Sequence, residues 1–180
     1  MKIFTASQIR ACDDFTIRNE PVSSLLLMER AAQKCTDYLF KYLDIIQKIY
    51  IFCGNGNNGG DGFAIARMLY YLNFDVEVYI NKSLQNFSKD ATINFNLLKG
   101  LSGIEIKDFS EFDSSEIDEN EVIIDAVFGS GLNRKLEGEL AETIGKMNSA
   151  KGTKISIDIP SGLFCDDIIE KDAVVFKADY

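Results

Sequence analysis

The sequence predicts an α/β protein of Rossmann-like design, a three-layer sandwich with a mostly parallel sheet and two extra N-terminal helices. Three observations predict this class. Short apolar segments alternate with amphipathic helical segments from residue 48 onward, which is typical of a parallel sheet with crossover helices. A glycine-rich segment, residues 54–62, directly follows the first predicted strand. Two later strand-like segments, 121–125 and 154–158, both end in aspartate.

The composition excludes several classes of function. A formal net charge of −9, with Lys and Arg scattered along 180 residues, argues against a nucleic-acid or anionic-membrane partner. The absence of histidine excludes Ser-His-Asp and Cys-His catalysis and imidazole zinc sites. No apolar run approaches the ~20 residues of a membrane span. The four cysteines form no CxxC pair and no signal peptide is evident, so we expect a cytoplasmic protein.

The two helices before the sheet are predicted from capping and periodicity. The first begins at Thr5, whose spacing to Gln8 is that of a capping box. Pro21 separates it from a second helix over about 23–43, and we expect both to pack outside the sheet or on a second subunit. The later predicted helices are 63–72, 88–101 and 138–148. The predicted strands are 49–53, 76–80, 104–106, 121–125 and 154–158, with another beginning at 173–176. The acidic stretch 108–120 is predicted to be a solvated connection.

The glycine-rich segment contains five glycines in nine positions. Gly54, Gly56 and Gly59 satisfy GxGxxG between a strand and a helix, which predicts close approach of the backbone to an anion. The alternative is a tight turn with Asp61 as the helix N-cap. A redox dinucleotide site is disfavoured, because the acidic residue ~20 positions on, Glu77, lies in the middle of a predicted strand.

Two further strand ends carry polar loops. Asp125 is followed by Gly-Ser-Gly and the basic pair Arg134 and Lys135, which are suited to binding phosphate, although a flexible surface loop is the alternative. Asp158 is followed by Ile-Pro-Ser-Gly, for which the alternative is a loop-capping aspartate. Because ligands of open α/β sheets bind outside the carboxyl ends of the strands, we expect all three segments to meet around one pocket.

Together these segments resemble the NAD(P)H-hydrate epimerase family, the N-terminal domain of the nicotinamide-nucleotide repair enzymes. The family pattern G-x-G-N-N-G-G-D-G, D-A-x-F-G-[ST]-G and D-I-P-S-G is matched in order by residues 54–62, 125–131 and 158–162. Residues 27–29, Leu-Met-Glu, also resemble the family's helix start. The resemblance covers nearly the whole chain. It implies an isomerase that epimerises the R and S forms of hydrated NADH and NADPH and needs no redox cofactor.

The resemblance also implies which residues act. Asp158 would be catalytic, giving a proton to the leaving C6 hydroxyl and taking one back. A potassium ion would be held by Asn58, Asp125 and Ser161, because hard cations prefer oxygen ligands. The dinucleotide substrate would contact Asn57, Asn58, Gly59, Gly60, Asp61, Gly129, Ser130, Gly131, Leu132, Asn133, Arg134, Lys135 and Asp158.

The implied partners are a second copy of the chain, since the family is typically dimeric, and a fused or separate hydrate dehydratase domain. The chain departs from the family at residues 30–32, Arg-Ala-Ala in place of Asn-Ala-Gly, and at Leu140, where an aromatic residue is common. The family usually adds a strand and a helix beyond Tyr180, so we expect residues 1–180 to be a single domain truncated at its C-terminus. The alternative function is a non-catalytic dimerisation or ligand-binding module, which the retained aspartate and glycine-rich segment disfavour.

Overall fold

The computed structural model describes residues 4–83 and 86–180. The helices are α1 (Ala6–Asn19), α2 (Ser24–Tyr42), α3 (Asn57–Tyr71), α4 (Lys89–Lys99) and α5 (Gly138–Ser149). The strands are β1 (Lys48–Cys53), β2 (Asp75–Ile80), β3 (Glu105–Asp108), β4 (Val122–Ala126) and β5 (Thr153–Ser156). Two single 3₁₀ turns, Phe109–Glu111 and Ser114–Glu116, lie between β3 and β4.

The five strands form one parallel sheet in the order β3-β2-β1-β4-β5. The strand order therefore reverses at β1, which pairs with β2 on one side and β4 on the other. In sheets of this design the crevice at the reversal is the usual ligand site. The predicted α/β class and mostly parallel sheet are confirmed, and the expected ligand crevice lies at the carboxyl ends of β1 and β4.

Two apolar cores lie on opposite faces of the sheet. Helices α2, α3 and α4 cover one face around Ile51, Leu69 and Val78. Helix α5 and the 3₁₀ turns cover the other face, where Phe52 stacks on Tyr79 with ring centroids 4.8 Å apart. This arrangement gives the three predicted layers. No described helix is long and apolar enough to cross a membrane.

Helix α1 packs differently from the other helices, because Ala6 is its only buried residue. The predicted capping box is present, with the Thr5 side chain accepting from the Gln8 amide and the Gln8 side chain accepting from the Thr5 amide. The Ala6 amide also donates to both carboxylate oxygens of Asp166, at 3.2 and 3.1 Å. This contact ties the start of α1 to the segment that follows Asp158.

The glycine-rich segment is mostly helix, which corrects the prediction of a helix beginning at residue 63. Helix α3 begins at Asn57 with Gly56 as its N-cap, so Asp61 is not the cap. A Cβ atom on Gly59 would lie 1.8 Å from the Gly54 carbonyl oxygen, and one on Gly54 would lie 1.9 Å from that of Val127. These glycines therefore let the first turn of α3 lie against the ends of β1 and β4.

The stretch 108–120 is not the solvated connection that its charge predicts. Phe109, Phe112 and Ile117 are buried and contribute to the second core. Their acidic neighbours face solvent and cap the two 3₁₀ turns, as Asp108 does for Ser110. The acidic composition of this stretch does not reveal that three of its apolar side chains are buried.

The last two strand predictions are also corrected. Strand β5 ends at Ser156, so Asp158 lies in the following loop rather than at the strand end. In the described structure residues 173–176 are not a strand, although the Phe176 amide donates to the Ser161 carbonyl at 2.8 Å. Sheet-like pairing with β5 occurs later, where Tyr180 donates to the Lys154 carbonyl at 3.2 Å and accepts from the Ser156 amide at 3.0 Å.

Candidate active site

The loops after β4 and β5 are joined by Asp125, a fully buried carboxylate near the end of β4. The Ser161 amide donates to its Oδ2 at 2.7 Å and the Ser161 hydroxyl to its Oδ1 at 2.6 Å. The Phe128 amide donates to the Ser161 hydroxyl oxygen at 2.8 Å. Two of the three predicted segments are therefore held together by direct hydrogen bonds.

The charge of Asp125 has no counter-charge in the described structure. Burial raises the pKa of its carboxyl, while hydrogen bonds from Ser161, Val127 and Ser156 oppose that shift. None of the ion pairs among the described residues includes Asp125. An ionised carboxylate in such surroundings is costly without a compensating cation. Asp125 is therefore a residue that could hold a cation, because the groups bonded to it are neutral donors.

Asn58 brings the third segment to the same place. Its side chain is 9% exposed, and neither Oδ1 nor Nδ2 has a hydrogen-bond partner within the described residues. A buried polar group left in this way costs about 1–3 kcal/mol. A Cβ atom on Gly129 would lie 3.4 Å from Cβ and Cγ of Asn58 and 2.5 Å from Oδ2 of Asp158. Because Gly129 has no side chain, the Asn58 side chain and the Asp158 carboxylate can both lie close to its backbone.

Asp158 is held in an unusual backbone conformation. Its φ of +66° lies in the left-handed region, which few non-glycine residues adopt and which recurs at functional sites. Its side chain is exposed to solvent, and its Oδ2 accepts from the Ser130 amide at 2.8 Å. The carboxylate is therefore accessible and fixed against the loop after β4.

Asp61 lies one helical turn beyond Asn58 and is half-buried. Burial, followed by the negative charges of Asp158 and Asp13, raises the pKa of its carboxyl to about 7. Asp13 belongs to α1, and burial together with Asp14 and Asp158 raises the pKa of its own carboxyl. Sequence reasoning missed Asp13, because only tertiary packing of α1 brings it here and no local pattern marks it.

The described residues contain no group of three or more His, Cys, Asp or Glu side chains placed to hold a metal ion. The oxygen ligands that the three segments offer are instead the Asp125 carboxylate, the Ser161 hydroxyl bonded to it and the unpartnered amide of Asn58, which lies against Gly129. Such a set of one charge and neutral oxygens suits a hard cation of low charge.

The loop after β4 carries the basic pair Arg134 and Lys135, and these residues line a cavity of about 240 Å³. Asn133 and Glu170 are also among the residues that line it. Lys135 Nζ contacts carboxylate oxygens of Asp172 at 2.7 Å and Glu170 at 3.2 Å. Lys135 is therefore already paired in this structure, whereas Arg134 forms no ion pair within the part described and is exposed.

A second, narrow cleft lies at the ends of β1, β2 and β4. This cleft has a volume of about 20 Å³, enough for a water molecule and too small for a nucleotide. Apolar side chains dominate its lining, including Phe87, Phe128 and Leu140. Leu140, the position where the family commonly has an aromatic residue, is thus one wall of this cleft.

Glu77 has a structural environment that agrees with the argument against a redox dinucleotide site. It is buried in the middle of β2, where it accepts from the Tyr79 hydroxyl at 2.5 Å. Lys48 Nζ lies 2.8 Å and Lys107 Nζ 3.0 Å from its carboxylate. Asn81 stands beyond the strand end and donates to Glu139 at 2.9 Å. The Glu77 carboxylate is therefore engaged in a hydrogen bond and two ion pairs within the sheet.

Comparison with known proteins identifies relatives along most of the chain. The family described as YjeF-related protein N-terminus matches residues 24–180. The NAD(P)H-hydrate epimerase of Oenococcus oeni is 33% identical over 164 residues, covering 91% of this chain and 76% of that protein. That of Limosilactobacillus fermentum is 35% identical over 167 residues, covering 90% and 76%.

A bifunctional NAD(P)H-hydrate repair enzyme Nnr of Dictyoglomus turgidum is 37% identical over 183 residues, which cover 100% of this chain and 35% of that protein. The crystal structure of yeast ynu0 (YNL200c) has the same fold, with a TM-score of 0.75 at 18% identity over 97% of this chain and 77% of that one. With the family match spanning residues 24–180, the chain belongs to the YjeF-related protein N-terminus family.

Proposed function

We propose that the protein is an isomerase that interconverts the R and S forms of hydrated NADH and NADPH in metabolite repair. The observation that carries this proposal is the convergence on Gly129 of Asn58 and Asp158, beside the buried Asp125–Ser161 pair. Relatives more than 30% identical over nine-tenths of the chain are named NAD(P)H-hydrate epimerase, which supports the same reaction.

The reaction needs proton transfer and no electron acceptor. The hydrate carries a hydroxyl at C6, next to the ring nitrogen. Protonation of that hydroxyl lets the nitrogen lone pair expel it as water, leaving a C=N bond. Water then adds to the opposite face of C6 and loses its proton. A positioned carboxyl supplies typically 10²–10⁴-fold to such steps, and we assign this role to the accessible Asp158.

We propose that Asn58, Asp125 and Ser161 hold a potassium ion. The unpartnered amide oxygen of Asn58 and the uncompensated charge of Asp125 both fit a cation. When bound, such an ion would supply fixed positive charge near the point where the strand order reverses, between β1 and β4. The residues themselves position the loops, because Ser161 contacts both Asp125 and the Phe128 backbone.

We propose that the phosphates of the dinucleotide are bound by backbone N–H groups and Arg134. The first amides of α3, at Asn57 and Asn58, have no carbonyl partner within the helix, and a helix N-terminus favours an anion. The remaining members of the predicted substrate set are Gly59, Gly60, Asp61, Gly129, Ser130, Gly131, Leu132, Asn133 and Lys135. Their contacts with substrate stay predictions.

A homodimer is part of the same proposal. Helices α1 and α2 expose large apolar side chains, with Phe15 67% and Leu26 57% exposed. Contiguous exposed apolar surface marks an interaction site, and we propose that α1 and α2 supply such a surface to a second copy of the chain. We also propose a cytoplasmic location, which suits the free thiols of Cys12, Cys35, Cys53 and Cys165. A hydrate dehydratase domain, fused or separate, is the further partner we propose, and the bifunctional relative supports it.

The experiment that tests the proposed function follows one purified epimer of hydrated NADH by chromatography, with the spontaneous rate subtracted. An epimerase brings R and S forms to equilibrium at a rate proportional to protein concentration. A binding or dimerisation module leaves the spontaneous rate unchanged, and that result would reject the enzymatic function.

A further inference from the structure

Inversion at C6 requires the site to assist proton transfer on both faces of the ring. The hydroxyl departs from one face of a flattened ring, and water arrives on the opposite face. A carboxyl on one side is well placed to assist only the event on its own side. Two proton-transferring groups on different structural elements can assist both events, one group on each face of the ring. Asp158 therefore requires a partner on another element.

Resting on the proposed function, we propose that Asp61 is the second proton-transferring carboxyl of the site. It acts from helix α3, while Asp158 acts from the loop after β5. Nothing in the sequence pattern assigns Asp61 more than contact with substrate, so this role is distinct from the one implied by resemblance.

The placement of Asp61 follows from its helix and neighbours. Residues three apart on a helix lie on the same face, so Asp61 stands one turn above Asn58. The Asn58 side chain and the Asp158 carboxylate both lie against Gly129. Asp61, on α3, and Asp158, in the loop after β5, therefore both lie near the Asn58 side chain, whose amide is buried and unpartnered among the described residues.

The surroundings of Asp61 suit a group that holds a proton. Its carboxyl has no hydrogen-bond or ion-pair partner among the described side chains, whereas Asp158 is fixed by the Ser130 amide. The groups that face Asp61 are Asp158, Asp13 of α1 and the thiol of Cys35 on α2, whose own pKa is raised first by burial and then by Asp61. Burial and these negative charges bring the pKa of Asp61 to about 7, so both protonation states are available at neutral pH.

The proton balance closes with these two groups. Protonated Asp61 gives its proton to the C6 hydroxyl, the C6–O bond breaks, and the nitrogen lone pair forms the C=N bond. A second water attacks C6 from the other face and gives its proton to the Asp158 carboxylate. One water leaves and one enters, and no electrons are transferred. Asp158 then releases its proton to solvent and Asp61 takes one up, which resets the site for another molecule of the same epimer.

The test compares Asp61→Asn, Asp158→Asn and Asp14→Asn, the last being a neighbouring exposed aspartate of α1 outside the site. For each protein, kcat, KM and the pH profile of kcat/KM are measured with both epimers of hydrated NADH. We expect Asp61→Asn to lose about 10²–10⁴-fold in kcat with KM changed less than threefold, and to lose the limb of the pH profile near 7. Asp14→Asn keeps wild-type kinetics.

Two results would overturn the inference separately from the function. One is an Asp61→Asn protein within threefold of wild type while Asp158→Asn is inactive, which leaves a single carboxyl in the reaction. The other is an equal loss in Asp61→Asn and Asp61→Glu with an unchanged pH profile, which indicates a packing role; partial recovery in Asp61→Glu supports proton transfer. A wild-type protein that leaves both epimers unchanged overturns the proposed function and this inference with it.

Discussion

The hydroxyl of Ser161 lies 2.6 Å from Oδ1 of Asp125, and the amide of the same serine donates to Oδ2 at 2.7 Å. One residue thus satisfies both oxygens of a buried carboxylate. Because Asp125 is the last but one residue of β4 and Ser161 belongs to the loop after β5, this contact fixes the ends of the two strands relative to each other. The stability of the site therefore depends on a polar contact inside the fold.

Removal of the hydroxyl tests that contact. We expect Ser161→Ala to lower the free energy of unfolding by about 1–3 kcal/mol, because Asp125 loses a buried donor and the Phe128 amide loses its acceptor. Denaturant titration measures the change. Ser130→Ala is the matched control, since the Ser130 hydroxyl has no hydrogen bond among the described residues, and a loss of equal size in the control would contradict the account.

Potassium should stabilise the folded protein through Asn58. A ligand that binds only the folded state at ten times its dissociation constant adds about 1.4 kcal/mol. We expect potassium chloride to raise the melting temperature of the wild type above that in equal sodium chloride, and Asn58→Ala to abolish the difference. The same potassium-dependent rise in both proteins would place the ion elsewhere.

The raised pKa of Asp61 predicts how stability depends on pH. Unfolded Asp61 ionises near its ordinary value of 3.8, and folded Asp61 near 7. Between these values the folded state binds more protons, so the stability contributed by this residue falls as pH rises from about 4 to about 7. We expect Asp61→Asn to be more stable than wild type by about 4 kcal/mol at pH 8, since a shift from 3.8 to about 7 is about three pKa units, and to show no such gain at pH 4.

Chemical denaturation at the two pH values measures this difference, and Asp14→Asn provides the control for loss of one negative charge. An Asp61→Asn protein that gains no stability at pH 8 relative to that control would show that the folded site does not raise the pKa of this carboxyl.

Glycine at position 59 should be required for packing. A Cβ atom there meets the Gly54 carbonyl oxygen at 1.8 Å, so Gly59→Ala must displace α3 from the sheet, and we expect a loss of about 3 kcal/mol or more. Gly56→Ala is the control, because a Cβ atom at that N-cap meets nothing within 4 Å. The comparison uses thermal unfolding, and similar melting temperatures for the two variants would contradict the packing argument.

Local patterns predicted the parts of this fold that depend on local chemistry. The apolar runs of β1 and β4 and the capping box at Thr5 could be identified from neighbouring residues alone. The start of α3 could not, because glycine disfavours helix and only contact with Gly54 and Val127 explains why it occurs there. The same holds for Phe109, whose burial among acidic neighbours depends on α5.

The candidate site shows the same division. That the segments containing Asp125 and Asp158 lie at one edge of the sheet follows from the parallel topology, which the alternation of elements predicts. The left-handed backbone of Asp158, the buried amide of Asn58 and the approach of Asp13 from α1 are tertiary features without a local signal. These are also the features on which the proposed chemistry depends.

The most direct measurement uses one purified epimer of hydrated NADH in water enriched in oxygen-18, with wild type and Asp158→Asn compared. We expect the wild type to form the other epimer with one solvent oxygen gained at C6 for each inversion, and Asp158→Asn to do neither above the spontaneous rate. Inversion that retains the original oxygen, or full activity without the Asp158 carboxyl, would contradict this mechanism.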